Sequence, residues 1–297
     1  MEIQWYPGQM AKAKRLLREN LKLVDAVIEV LDARIPGSSR NPDLRGILAA
    51  KPVVAVLTRP DLADTAATSA WQERLQLQYS AVAAVNANSG EGVKYLLRQL
   101  EALPKRKKEV PHPLRLIVVG IPNVGKSSLI NRLTGRSAAA TGDKPGITRG
   151  KQWVRVREGL EILDTPGMLW PKIKTARQAF VLAAVGAVKD EIIDSYELGI
   201  ELVDFLRENV PVKLQERYKI EALDVERAAI LEEIGRHRGC LIAGGVVDME
   251  ASARLLIKDF REGRLGRITL ESAGEWRGDD ESGFPEDDGG SNSLPPG

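Results

Sequence analysis

Between positions 120 and 128 the chain reads Gly120-Ile121-Pro122-Asn123-Val124-Gly125-Lys126-Ser127-Ser128, a GxxxxGKS pattern whose residue types suit the cradling of phosphate groups. Gly120 and Gly125 let consecutive backbone N–H groups turn inward around an anion, and the N-terminus of a following helix adds the positive end of its dipole. Lys126 is placed to reach β- and γ-phosphates and the Ser127 hydroxyl to ligate Mg2+, while Pro122, Asn123, Val124 and Ser128 complete the loop. An apolar run, Leu116, Ile117, Val118 and Val119, precedes the pattern and a helical periodicity follows it, the strand, loop and helix setting that this chemistry requires. The alternative, a glycine-rich turn that holds no ligand, has no need of a lysine and a hydroxyl in this order.

A phosphate loop alone does not separate a kinase, an ATPase and a GTPase; its partner motifs do. Asp164-Thr165-Pro166-Gly167 is a DxxG pattern at the end of an apolar strand, where the Asp164 carboxylate can hold Mg2+ through water and the Gly167 N–H can sense a γ-phosphate. Thr148, in the polar loop before it, can complete the Mg2+ shell when that phosphate is present. Guanine recognition needs a carboxylate that accepts from the base N1–H and its exocyclic amine, ordinarily in an NKxD motif. No NKxD follows the P-loop. The best candidate precedes it, as Thr58-Arg59-Pro60-Asp61 after one apolar strand, with Asn86-Ala87 after the next in the place of a Ser-Ala pair whose backbone N–H would contact the base oxygen. The base-reading motifs thus precede the phosphate-reading ones, as in a sheet cut at one loop and rejoined at another.

The elements that must position these residues follow from periodicity. Residues 24–32, 53–57 and 81–85 are apolar runs of the parallel-sheet kind, and helical patterns at 43–50, around Trp71 and Leu75, and at 92–103 alternate with them. Residues 152–158 and 160–163 predict two further strands. Strands alternating with helices imply α/β architecture, a doubly wound, mostly parallel sheet with its ligands at the carboxyl ends of the strands. Residues 104–113 are a basic, proline-bounded connection that would be the joining segment. From about 176 to 270 the periodicity is helical throughout, at 176–189, 197–208, 226–236 and 248–262. The expected organisation is a GTPase-like domain at 1–175, a small all-helical C-terminal domain at 176–271, and from Ser272 an acidic tail at 272–297 whose composition predicts disorder.

With 297 residues, 43% hydrophobic and 28% charged, the chain can bury a core without staples. Its one cysteine, Cys240, makes no internal disulfide. No stretch is long and apolar enough to span a bilayer, and the start lacks an apolar signal segment, so a cytoplasmic protein is expected. The net charge of +2 hides segregation: Lys12, Lys14, Arg15, Arg18 and Lys22 crowd the N-terminus, 105–108 is a basic run, and 279–288 is acidic. Two basic patches flanking a nucleotide site point to an anionic partner, a solvated face being the alternative.

The order base motif, P-loop, switch threonine, DxxG and helical domain resembles the circularly permuted GTPases, and among them the ribosome biogenesis GTPase A (RbgA/YlqF) family. Residues 5–13, WYPGQMAKA, resemble that family's WFPGHMAKA, and residues 257–269, IKDFREGRLGRIT, resemble its C-terminal KDFRxGKLGRIT. The resemblance covers about residues 1–271. It implies binding and hydrolysis of GTP to GDP with Mg2+, slow alone and stimulated by the large ribosomal subunit. The partner would be a precursor of that subunit and its ribosomal RNA, engaged by a protein that is a monomer off the ribosome. Candidate RNA contacts are Lys12, Lys14 and Arg15 in the basic N-terminus and Lys258, Arg261, Arg264 and Arg267 near the C-terminus.

Departures from the family pattern shape the expected chemistry. Thr58-Arg59 stands for Asn-Lys: Arg59 can lay its stem against the base, while Thr58 cannot reproduce every amide contact, so weaker guanine selectivity is expected with Asp61 decisive. Met168 follows DxxG, and its thioether cannot orient the attacking water. Asn123 resembles the asparagine that coordinates K+ in cation-dependent GTPases, where the ion adds positive charge at the transferring phosphate. Gln9 stands where the family has a histidine proposed to assist hydrolysis; it could orient water or simply cap a turn. The catalytic candidates are therefore Gln9, Asn123, Lys126, Thr148 and Gly167. A nucleotide-sensing RNA-binding module with little turnover is a second reading. A small-molecule kinase is a third, and it leaves DxxG, Thr148 and both terminal motifs unexplained.

Overall fold

The computed structural model describes residues 7–104, 112–135, 152–164, 173 and 175–276. The loop carrying Thr148, the DxxG residues 165–167, Met168, most of the connection at 104–113 and residues 277–297 of the acidic stretch lie outside the described residues.

Seven successive buried residues, Ala26–Asp32, form β1, whose alternate side chains enter different apolar clusters. Ile28 and Val30 face a cluster with Leu96, Leu100 and Leu129, whereas Val27 joins Leu17, Leu21 and Leu48, and Leu31 joins Trp71 and Leu75. A strand covered on both faces is mostly apolar, which is why 24–32 carries no polar alternation, and its buried Glu29 and Asp32 are hydrogen-bonded, to Tyr79 and to Arg34 and Arg59. β1 pairs in parallel with β2 (Val53–Thr58), which pairs in parallel with β3 (Ala81–Val85). On its other edge β1 pairs in parallel with β4 (Leu114–Val119), and β4 with β6 (Leu160–Asp164). β5 (Gln152–Arg157) closes that edge antiparallel to β6, giving the order β3-β2-β1-β4-β6-β5. The predicted doubly wound, mostly parallel sheet is therefore present. The base-motif strands lie to one side of the P-loop strand, with β6, which ends at Asp164, on the other.

The helices that cover the sheet are α1 (Pro7–Leu21), α2 (Pro42–Leu48), α3 (Thr65–Gln76), α4 (Val93–Glu101) and α5 (Lys126–Thr134). Five more follow: α6 (Ala176–Ala184), α7 (Ser195–Asn209), α8 (Pro211–Tyr218), α9 (Arg227–Arg238) and α10 (Met249–Arg261). α8 falls where no helix is predicted; it is short, opens on Pro211 and buries only Leu214 and Tyr218, one i,i+4 pair. α10 meets its neighbours through small residues. A Cβ added at Gly199 of α7 would lie 2.6 Å from that of Ala253, and one at Gly235 of α9 would lie 2.0 Å from the Ser252 hydroxyl. Within this packing the buried Asp259 accepts from Arg217, the Tyr218 hydroxyl and Arg264, the multiple pairing that a buried carboxylate requires.

After α10 the chain turns back across the sheet. Arg177 donates to the Leu270 carbonyl, the Trp71 indole to that of Glu271, and Arg74 to those of Ala273 and Trp276. The Trp276 ring meets Trp71 edge-on at 5.9 Å and lies where any side chain at Gly37 would be. Residues 272–276, expected as the start of a disordered tail, are packed because this tryptophan has an apolar seat.

Glu271 fastens the returning segment: its carboxylate accepts from the Gly37 and Ser38 N–H groups at 2.8 and 3.0 Å. Burial pushes its pKa up to about 7, against those two donors and Arg177, which oppose the rise. A carboxyl raised in the folded state stabilises the fold fully below its unfolded pKa, and that contribution is lost as pH rises through the folded value. Thermal stability should therefore fall between pH 5 and 8 by an increment that Glu271→Gln removes, since the amide oxygen still accepts while carrying no buried charge. Parallel melting profiles of the two proteins would contradict this.

Candidate nucleotide site

The P-loop is built by backbone conformations that only its own residue types sustain. Gly120 has φ +151° beneath β1, where a Cβ would stand 2.6 Å from the Val30 carbonyl oxygen. Gly125 has φ +91° and precedes the first turn of α5, while Asn123 adopts φ +59°, a left-handed conformation that asparagine tolerates better than most. Val124 is buried, Pro122, Lys126 and Ser127 are half-buried, and Asn123 and Ser128 are exposed. The Lys126 ammonium donates to the Ile121 carbonyl across the loop. Burial lowers its pKa to about 8, and among the described residues no carboxylate pairs with it. A polyphosphate would supply the counter-charge.

The base motif is stapled to this loop. The Thr58 hydroxyl lies 2.6 Å from the Val124 carbonyl and 3.0 Å from that of Leu31, sharing one proton between the P-loop and β1. Arg59, at φ +56°, donates to the Asn123 carbonyl at 2.8 Å and to Asp32 at 2.7 Å. The two residues that depart from the Asn-Lys pattern thus tie the base strand to the phosphate loop. Asp32 also takes three bonds from the buried Arg34, two from its guanidinium and one from its N–H. Burial raises the Asp32 pKa, but Arg34 and then Arg59 outweigh it and hold the carboxyl below its ordinary value. Asp32 and Arg34 were not among the residues singled out; an acid and a base two apart at the end of a largely apolar strand was their signal.

Asp61 is half-buried beside Pro60, and among the described residues its carboxylate makes no hydrogen bond or ion pair. Asn86 accepts from the Asn88 and Ser89 N–H groups through its side-chain oxygen, and Arg132 of α5 donates to the Ala87 and Asn88 carbonyls. The phosphate helix therefore holds the second base loop as well. Asp164 closes β6, whose Leu163 pairs with Ile117 of the P-loop strand; its side chain lies outside the described residues, as does that of Gln9, in the first turn of α1. The hydroxyl of Ser127 and the carboxylate of Asp164 are the hard oxygen donors that Mg2+ takes when it is bound mainly by water and substrate phosphates. Asn123 donates through Nδ2 to the Gly186 carbonyl at 2.9 Å, which leaves its Oδ1 as the end available to a cation. Arg34, Arg59, Asn123, Gly186, Asp190 and Arg261 line a cleft of about 610 Å³ beside the loop.

The basic candidates divide. Lys12 and Arg15 are exposed on α1, with Arg15 4.0 Å from Glu19, and Lys14 is half-buried. Lys258 is exposed and 4.0 Å from Glu262. Of the three arginines expected to face RNA, Arg261 is half-buried on the Ala183 and Ala184 carbonyls and Asp190, whereas Arg264 and Arg267 are exposed, the first paired with Asp259 and Glu262 and the second bonded to the Thr65 hydroxyl.

Lys126 gives a test of the site's charge. Phosphate charge raises the amine's pKa above its free value of about 8, so between the two values binding must take up a proton. Calorimetric titration of GDP in buffers of different ionisation enthalpy should show proton uptake at pH 8.5 to 9 and none at pH 6.5, with affinity falling as pH rises through that window.

Residues 115–240 match the family model described as 50S ribosome-binding GTPase. The chain is 44% identical over 278 residues to ribosome biogenesis GTPase A of Bacillus licheniformis, covering 91% of this chain and 98% of that protein. It is 39% identical over 283 residues to the protein of the same name from Bacillus cereus, covering 93% and 96%. Among solved structures, the GNP-bound YlqF from T. maritima superposes with a TM-score of 0.63 at 30% identity, over 88% of this chain and 98% of that one.

Proposed function

The chain belongs to the ribosome biogenesis GTPase A family, and from that premise we propose that it hydrolyses GTP while bound to a precursor of the large ribosomal subunit, with its nucleotide state controlling attachment. The observation that carries this reading is the pair of staples from Thr58 to Val124 and from Arg59 to Asn123, which hold Asp61, a carboxylate with no partner among the described residues, and Lys126 at one end of the sheet.

In the proposed mechanism Asp61 accepts from the guanine N1–H and exocyclic amine, and the loop at Asn86 and Ala87 offers backbone N–H groups to the base oxygen. The backbone of 122–126 and Lys126 hold the phosphates, the amine losing its bond to Ile121 in exchange. Ser127, Asp164 and Thr148 would hold Mg2+, which would supply positive charge to the phosphates. Asn123, its amide fixed by Gly186, would offer Oδ1 to a K+ ion, which would add positive charge at the transferring phosphate. Gly167 binds the γ-phosphate, and Gln9 orients the attacking water in place of a residue at position 168. Residues 1–175 form the nucleotide-binding part and α6–α10 the part that meets the ribosome, with Lys12, Lys14, Arg15 and Lys258 as the RNA-facing cations. Arg264 and Arg267, also exposed, join these cations, while the half-buried Arg261 acts indirectly by tying α10 to the end of α6.

The test is turnover of GTP with and without large-subunit precursors, in K+ and in Na+. The expected result is a slow basal rate, stimulated by K+ and further by the subunit, together with subunit binding that weakens steeply with salt as phosphate contacts release counterions. Equal rates with and without subunit would overturn the assembly reading; equal rates in K+ and Na+ would remove the role given to Asn123.

A further inference from the structure

The segment 263–271, which begins inside the second terminal motif, has no contact with nucleotide assigned to it, yet it runs along the loop that follows Asp61. The Ile268 N–H donates to the Leu62 carbonyl at 2.9 Å, the Asp64 N–H donates to the Thr269 hydroxyl oxygen at 3.0 Å, and Arg267 donates to the Thr65 hydroxyl at 2.9 Å. Gly263, at φ +73°, lets Leu62 approach so closely that an added Cβ would stand 2.6 Å from Leu62 Cδ2. Two residues on, the Leu270 N–H donates to the Arg34 carbonyl, and Glu271 closes on Gly37 and Ser38. The segment is thereby bonded to the loops that follow both β1 and β2.

The base loop has little to hold it otherwise. Its upstream end is fixed by Thr58 and Arg59, and its downstream end by Asp64, whose side chain caps α3 through the Ala67 N–H. Between them the Leu62 N–H bonds back to the Arg59 carbonyl, but the Leu62 carbonyl and the Asp64 N–H find their partners in Ile268 and Thr269, more than two hundred positions away in sequence. Discrimination by a carboxylate that accepts two bonds from one base edge depends on its position to within a few tenths of an ångström, since hydrogen bonds weaken steeply with poor geometry.

We propose that the segment 263–271 is a brace that sets the position of Asp61, with Ile268 and Thr269 as positioning residues for selection of guanine by its exocyclic amine. The proposal rests on the reading of Asp61 as the acceptor for that amine. The brace touches neither base nor phosphate; it acts through the loop backbone, and it gives the C-terminal motif a use that its basic residues alone do not suggest.

The discriminating pair of ligands is GDP and IDP, which differ only in the exocyclic amine. Thr269→Val removes the acceptor for the Asp64 N–H while keeping the side chain's shape, and should lower the ratio of GDP to IDP affinity about tenfold, roughly the worth of one well-placed hydrogen bond to a charged group. Thr269→Ser, which keeps the oxygen, should restore the ratio. In the unaltered chain, amide exchange at Ile268 and Leu270 should be slowed more by GDP than by IDP, because coupling between two sites is reciprocal. A Thr269→Val protein with the parental ratio, or equal protection by the two ligands, overturns the brace. Failure of the underlying reading looks different: the parent protein itself would bind GDP and IDP alike.

Discussion

Lys126→Ala will reduce affinity for GTP and GDP by about 10²-fold or more, the cost of removing a charge-assisted contact from a largely desolvated phosphate site. The loss will come without a loss of stability. In the free protein the Lys126 ammonium is desolvated, which lowers its pKa to about 8, and among the described residues it donates only to the Ile121 carbonyl. Removing it relieves a buried charge, and the loop conformation rests on Gly120, Asn123 and Gly125 with their staples to Thr58 and Arg59. Ser127→Ala should behave differently, losing the dependence of affinity on Mg2+ while keeping much of the Mg2+-free binding. Titration of both variants with fluorescent GDP, with and without Mg2+, beside their melting curves, checks the pair. Unchanged affinity in Lys126→Ala, or a collapse of its melting temperature, would contradict the separation of binding from folding drawn here.

Local pattern carried most of the sheet. β3 occupies 81–85 as predicted and β2 extends one residue further, because strands buried on both faces have a continuous apolar signature that needs no partner to be recognised. The P-loop was legible for the same reason: its glycines, lysine and hydroxyl are dictated by a ligand that touches successive residues. Long-range partners were not legible. Arg261, Arg264 and Arg267 look like a cationic face, and nothing local reveals that their guanidinium groups end on the carbonyls of Ala183 and Ala184, on Asp259 and on Thr65. The same holds for Trp276, an aromatic in an acidic stretch with no visible use until Trp71 is brought beside it. Thr58 and Arg59 teach the converse. Read against a motif they are defects, yet a threonine hydroxyl and an arginine fork still reach the Val124 and Asn123 carbonyls, since what the fold demands of those positions is a donor at a certain place and not one residue type.

Asp61→Asn should convert the protein from a guanine to a xanthine binder. A carboxylate accepts from both N1–H and the exocyclic amine; an asparagine accepts from N1–H but turns an amide donor toward the amine, leaving two donors opposed. Xanthine carries a carbonyl in place of that amine, so the same amide donates to it and the pattern is again complementary. A site whose buried polar groups are left unpaired rejects the wrong ligand by about 10⁴-fold in favourable cases, and a swing of at least 10²-fold in the ratio of GTP to XTP affinity is expected here, less than the limit because Asp61 is half-exposed. The substitution is clean in this chain. Among the described residues Asp61 makes no internal bond that the change would break, the staples at Thr58 and Arg59 lie upstream of it, and the bonds from Ile268 and Thr269 lie downstream. Phosphate affinity should persist, so XTP binding by the variant should keep the Mg2+ dependence of GTP binding by the parent. Competition between GTP and XTP for a fluorescent nucleotide measures the ratio directly: an unaltered ratio would place the base against some other acceptor and break the alignment of Thr58-Arg59-Pro60-Asp61 with the base motif, whereas loss of both nucleotides together would mean that Asp61 holds the loop and does not read the base.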